Sequence, residues 1–206
     1  MRGANVILQE MDNELMPAVG VEKQGFIHIS IPVGMLQCNC SIIGDPVTRE
    51  ALVVDPGDEV GRILDLIGRH KLSVKAIVST HAHIDHVGGL SKLHKYTGAP
   101  VMMHREDLPL YQAMEMQAAF LGVAPPDLTD VHQMLADGDA LQWGSLEAQV
   151  IHTPGTRREA FRCLCRRRPG RLRWQHRSFL REIRFLPEVL AARICGAGRW
   201  KRSWRR

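Results

Sequence analysis

The chain reads as an α/β protein over residues 25–155, followed by a tail of different composition. Two observations predict that class. Short β-branched or alternating apolar runs recur between stretches whose apolar residues fall at helical spacing. Gly, Pro and Asp clusters punctuate the boundaries between them. The length of 206 residues and an apolar fraction of 45% suit a chain that buries a substantial core.

The elements follow in order. Residues 26–31, Phe-Ile-His-Ile-Ser-Ile, alternate and read as a strand, and residues 38–43 as a second. Residues 51–55 form a third, stopped by the turn Asp55-Pro56-Gly57. Asp58 is a candidate helix N-cap, with Val60, Ile63, Leu64 and Ile67 at helical spacing behind it. Residues 74–79 are the next strand, and residues 90–96 a helix ended by Thr97-Gly98. A short strand at 100–103 leads into residues 105–121, expected as helix with its Met and Leu residues in the core. Loops at Pro125-Pro126 and Asp137-Gly138-Asp139 precede a hairpin over 141–143 and 146–151.

Charge divides the chain more sharply than hydropathy does. Residues 1–156 hold ten Lys/Arg against nineteen Asp/Glu, whereas residues 157–206 hold seventeen, sixteen of them Arg, against three Glu. The net charge of +5 therefore averages two unlike segments. No apolar run approaches the ~20 residues of a membrane span. The start carries acidic residues and no sustained apolar segment, so a cytoplasmic location is expected. Five cysteines without a CxxC argue against a disulfide framework, and Cys38 and Cys40, two apart on a strand, are expected on one face as reduced thiols.

The chemistry concentrates at residues 79–89, Ser-Thr-His-Ala-His-Ile-Asp-His-Val-Gly-Gly. Three histidines and an aspartate fall within six residues at the end of an apolar strand. His81 and His83 project the same way in extended backbone. Neutral imidazole suits Zn²⁺ and related divalent ions. Asp85 and His86 follow in a loop that can curl toward a second ion.

The H-x-H-x-D-H pattern resembles the metallo-β-lactamase superfamily. The segments 51–57, Gly88-Gly89, 137–139 and 150–155 are similar to its glyoxalase II-like (hydroxyacylglutathione hydrolase-like) branch. The resemblance covers roughly residues 25–155. It implies an αββα sandwich, incomplete at its C-terminal half. It implies His81 and His83 on a first metal, Asp85 and His86 on a second, and Asp55 behind them orienting a ligand histidine. Two divalent ions are implied, zinc first, with iron or manganese as alternatives. The implied reaction is hydrolysis of a small-molecule thioester by metal-bound hydroxide, with Asp85 also orienting that hydroxide. Lactone or β-lactam hydrolysis and iron-dependent persulfide oxidation are the alternatives within the fold.

The resemblance also shows what is missing. The family places a ligand histidine directly after the Thr-Pro-Gly segment, and here Thr156 follows Gly155. His152 precedes that segment and does not occupy the position. Residues 157–206 contain no aspartate to bridge two metals, and their single histidine, His176, lacks the expected glycine context. We therefore divide the chain into an N-terminal extension (1–24), a partial domain (25–155) and an Arg-rich tail (156–206) read as out of frame. One base inserted after a codon for Gly155 can restore a Gly-His-Thr pattern followed by an alternating apolar run. The missing strands would leave apolar surface open at ~25 cal/mol per Å², so the chain as written is expected to be partly folded or poorly soluble. Taken at face value, the tail with Trp174, Trp200 and Trp204 suggests a second class of function, an inactive remnant that binds nucleic acid.

Overall fold

A computed structural model describes residues 19–23, 25–153, 160–167 and 181–183. Eight-residue β2 (Phe26–Val33) shows why its sequence alternates: Ile27, Ile29, Ile31 and Val33 point inward and are at most 2% exposed. It pairs antiparallel with β1 (Val19–Lys23) and with β3 (Cys38–Gly44). β4 (Glu50–Val54) continues the antiparallel half. β5 (Ser73–Val78), β6 (Val101–His104) and β7 (Gln133–Leu135) then add in parallel, giving seven strands in chain order. The parallel pairings require crossovers, and helices supply them. α1 (Val60–Arg69) links β4 to β5. α2 (Ile84–Val87) and α3 (Leu90–Thr97) link β5 to β6. α4 (Leu108–Gln112) and α5 (Met114–Leu121) follow β6.

Strand alternation sorts the core into two layers. Ala51, Val53 and Ile77 face the helices, beside Ile63, Leu90 and Met114. Leu52, Val54, Ala76 and Val78 face the other way. They meet Leu141, Trp143, Leu146, Ala148 and Val150 of β8 (Ala140–Trp143) and β9 (Leu146–Thr153). These strands belong to a second, antiparallel sheet of order β11-β10-β9-β8, where β10 is Ala160–Arg167 and β11 Arg181–Ile183. Asp45 ties the sheets at one end: its carboxylate accepts from Val47 N at 2.8 Å and from Ser145 N, in the β8–β9 turn, at 2.5 Å. The result is the expected mixed α/β fold, helices on sheet on sheet.

Four local expectations change. α1 starts later than Asp58 predicts. Its N-cap is Glu59, in left-handed backbone, and Asp58 instead accepts from the Glu59 N–H. Residues 105–121 are not one helix but a 3-10 turn (Arg105–Asp107), α4 and α5, broken at Ala113, whose backbone leaves helical values. β1 lies inside residues 1–24, the segment read as an extension. β10 lies beyond Gly155, where the composition hid it: arginines interrupt Phe161, Cys163 and Cys165, and the strand is recognisable only by its eight-position pairing with β9. No helix among the described residues is long and apolar enough to cross a membrane.

Candidate metal centre

Parallel pairing of β4 and β5 puts the C-terminal ends of both strands at one edge of the sheet. That edge is where α/β sheets place their sites. Asp55 leaves β4 there and Ser79-Thr80-His81 leaves β5. Asp55 sits in left-handed backbone (φ 52°), its N–H donating to Val78 O at 2.9 Å. Aspartate tolerates that conformation better than most residues. Its carboxylate is 1% exposed and fully engaged. Oδ1 accepts from Thr80 N (2.7 Å), and Oδ2 accepts from Thr80 Oγ1 (2.6 Å) and from His86 Nδ1 (3.0 Å).

Those bonds settle two tautomers. The Thr80 hydroxyl has one hydrogen, and the carboxylate takes it. The hydroxyl must therefore accept from His81 Nδ1, 3.0 Å away. His81 Nδ1 carries the hydrogen and Nε2 keeps the lone pair. In the same way, His86 donates from Nδ1 to Asp55. Asp55 thus orients one histidine directly and one through a threonine, the outer-shell arrangement that metal-ligating imidazoles require.

The three motif rings lie together. His81 and His83 are 4.6 Å apart edge-to-face, and His81 and His86 3.9 Å apart at a tilt. Burial and the neighbouring His86 push the His81 pKa down to about 3, so this imidazole is neutral at any ordinary pH. Burial would also lower His86, but the Asp55 carboxylate holds its pKa above the ordinary histidine value. Burial is the largest single influence on Asp55 and pushes it up, but His86, His81 and the Thr80 hydroxyl together outweigh it and hold Asp55 below the usual carboxylate range. Asp85 Oδ2 lies 3.5 Å from His86 Nε2, and Asp85 Oδ1 is buried with no hydrogen-bond partner. Cys38 closes the back of the site, its Sγ 3.4 Å from His86 Nδ1. Burial, with Asp55 and Asp85 nearby, drives its thiol strongly upward and keeps it neutral.

The motif's backbone is clamped from both sides. Pro56 and Gly57 pass so close to the loop that a Cβ on Gly57 would collide with the Asp85 carbonyl, and one on Gly89 with the Pro56 carbonyl. From the helical side, Gln117 of α5 donates to Ala82 O (2.9 Å) and Leu110 O (3.0 Å) and accepts from Ile84 N (3.1 Å). Asp107 accepts from Ala82 N at 3.2 Å. Thr80, Asp107 and Gln117 are absent from the residues singled out in the sequence. For Gln117 a signal exists: it is the one neutral polar side chain in the apolar run Met114–Leu121.

All five expected residues, Asp55, His81, His83, Asp85 and His86, therefore meet at one sheet edge. Their chemistry fits a divalent ion. A neutral imidazole with its Nε2 lone pair available and an orphaned buried carboxylate oxygen are donors waiting for a cation. The set is partial, because no group of three or more His, Cys, Asp or Glu among the described residues encloses an ion. Thr156, where the resemblance expects a further histidine, and the tail lie outside the described residues, as does the His152 side chain.

A metallo-beta-lactamase superfamily model matches residues 33–165. The chain belongs to that superfamily. It is 31% identical over 132 residues to hydroxyacylglutathione hydrolase GloC of Haemophilus influenzae, covering 61% of this chain and 59% of that protein. Two solved structures share the superfamily fold. The BLEG-1 B3 metallo-beta-lactamase superposes with a TM-score of 0.59 at 25% identity, covering 66% of this chain and 65% of that one. TTHA1623 in a di-iron-bound form gives 0.54 at 31%, covering 65% of each. The chain spans about three fifths of the length of the first curated relatives it matches, 58% and 60% for two of them. The match runs ten residues past Gly155, through most of β10.

Proposed function

We propose that this chain is built as a metal-dependent hydrolase of acyl thioesters, similar to hydroxyacylglutathione hydrolases. The observation that carries the reading is the Asp55 network, which presents His81 and His86 as oriented ligands beside the unpartnered Asp85 oxygen. His81 and His83 would hold one divalent ion, and Asp85 and His86 a second. Such ions supply Lewis acidity and lower the pKa of water toward ~7.

The chain's own residues do the rest. Thr80 keeps the His81 hydrogen on Nδ1 and leaves its Nε2 lone pair free, and Asp55 keeps a hydrogen on His86 Nδ1, so that a bound ion would displace only the proton on His86 Nε2. Asp85 Oδ1 accepts a hydrogen from the attacking water and aims its oxygen at the thioester carbonyl. The Gln117 and Asp107 bonds keep the loop from sliding as charge develops. Zinc is the first expectation. Iron is the second, favoured by the di-iron-bound relative. The buried free thiols of Cys38 and Cys40 suit a reducing, cytoplasmic compartment.

Thiol release from acyl thioesters tests the reading. The full chain, loaded in turn with Zn²⁺, Mn²⁺ and Fe²⁺, is compared with Asp85→Ala and with a frame-restored version. Metal-dependent release abolished by Asp85→Ala is expected. Release that ignores both the metal and Asp85, or none from either version, overturns the proposal. Oxygen uptake with a persulfide and iron alone would replace it with the oxygenase alternative.

A further inference from the structure

A cleft of about 220 Å³ opens beside the motif, with Ile84, Asp85 and Gly88 in its lining. Its walls come from two loops far apart in sequence, the β2–β3 turn and the segment after α5. Met35, Leu36, Ile84, Leu121, Val123 and Pro126 make them apolar. Met35 is 72% exposed and Val123 37%, so the walls turn large apolar groups toward water at the cleft mouth. Apolar surface left open beside a charged motif marks a binding face rather than a core.

The polar content of the cleft is equally selective. Asp58 and Asp85 are its charged side chains, and no Lys, Arg or His is among its described lining residues. No hydroxyl or amide side chain lines it either. An acyl group carrying a carboxylate would meet the like charge of Asp58 and find no cationic side chain among the described lining residues. A hydroxyl would give up water for few partners in return. A plain alkyl body loses nothing on entry and gains contact with both walls.

We infer that the site takes thioesters whose acyl group is an uncharged apolar chain, lying between the Met35–Leu36 turn and the Leu121–Pro126 segment with its carbonyl at Asp85. The placement of the carbonyl rests on the hydrolase reading above. The apolar binding does not.

Two measurements on the full chain separate them. Calorimetric titration with S-alkyl thioethers of N-acetylcysteamine, from methyl to octyl, reads binding without chemistry. Hydrolysis of the matching acyl thioesters, with the anionic glutaryl thioester beside hexanoyl, reads the reaction. Affinity should rise about fourfold per methylene until the cleft is filled. Leu121→Asp should flatten that series, whereas Leu121→Met should keep it. Both substitutions are at a half-buried position, so the fold should persist, and a melting curve checks it. Hexanoyl should exceed glutaryl at least tenfold in kcat/KM. Affinity independent of chain length, a series that survives Leu121→Asp, or a preference for glutaryl overturns the inference. Chain-length-dependent binding without hydrolysis by either the chain as written or the frame-restored version keeps the cleft and refutes the hydrolase. Hydrolysis without chain-length dependence does the reverse.

Discussion

Gln117 illustrates how a residue remote in sequence can hold a site together. Its amide closes three hydrogen bonds, two of them to the backbone between His81 and Asp85. Gln117→Ala leaves the fully buried Ala82 carbonyl without that donor, at a cost of about 1–3 kcal/mol. Urea melts should read that loss, and metal affinity should fall with it because the loop loses its register. Unchanged melts and unchanged affinity would mean the clamp is idle. Asp55 acts more directly. Asp55→Ala removes the acceptor that fixes both His81 and His86, and outer-shell losses of this kind weaken metal affinity about 10–100-fold. Asp55 was legible only through the resemblance of residues 51–57 to the family's strand and turn. Gln117 and Asp107 were not, because their partners are backbone atoms brought near only by folding. Thr80 lay in plain view, but its role depends on an Asp55 bond that no spacing reveals.

At the scale of elements, the two turns that approach each other decide the geometry. Asp55-Pro56-Gly57 packs backbone against backbone on the motif. Gly57→Ala forces that contact apart, and overpacking of this kind costs about 1–3 kcal/mol. Thermal melts and metal titration should both register it. The other turn pair is electrostatic. Burial pushes Asp45 up, but N–H donors from Ser145, Val47 and Thr48 outweigh it and hold the carboxyl at about 2. A carboxyl with a depressed pKa stabilises the fold above its unfolded value of about 4 and loses that contribution as pH falls toward 2. Acid titration of the folded chain should show this limb, and Asp45→Asn should flatten it. β2 and α1 announce themselves by spacing, because each buries one face, and β4 by an unbroken apolar run, because it buries both. β7 is three residues long and β10 is interrupted by arginines, so neither stands out without its neighbour.

Over the whole molecule, Trp143 and its neighbours on β8 and β9 cover the second face of the large sheet. Trp143→Ala should cost about 3–5 kcal/mol, read from denaturant melts, since the side chain is only 2% exposed. The family was legible because its metal motif is local, with three histidines and an aspartate in six positions. Its completion was not, because the chain changes composition at Gly155, just where the resemblance expects further ligands. Restoring the frame after Gly155 should therefore raise both metal affinity and thioester hydrolysis. Equal values for the two versions would place the whole site within the chain as written. The central claim is the proposal that His81 and His83 hold one divalent ion and Asp85 and His86 a second. Equilibrium dialysis of the full chain against Zn²⁺, beside a His83→Ala/Asp85→Ala double variant, tests it most directly. The account predicts bound zinc in the native chain and its loss in the variant. No zinc in the native chain, or equal zinc in both, would contradict it.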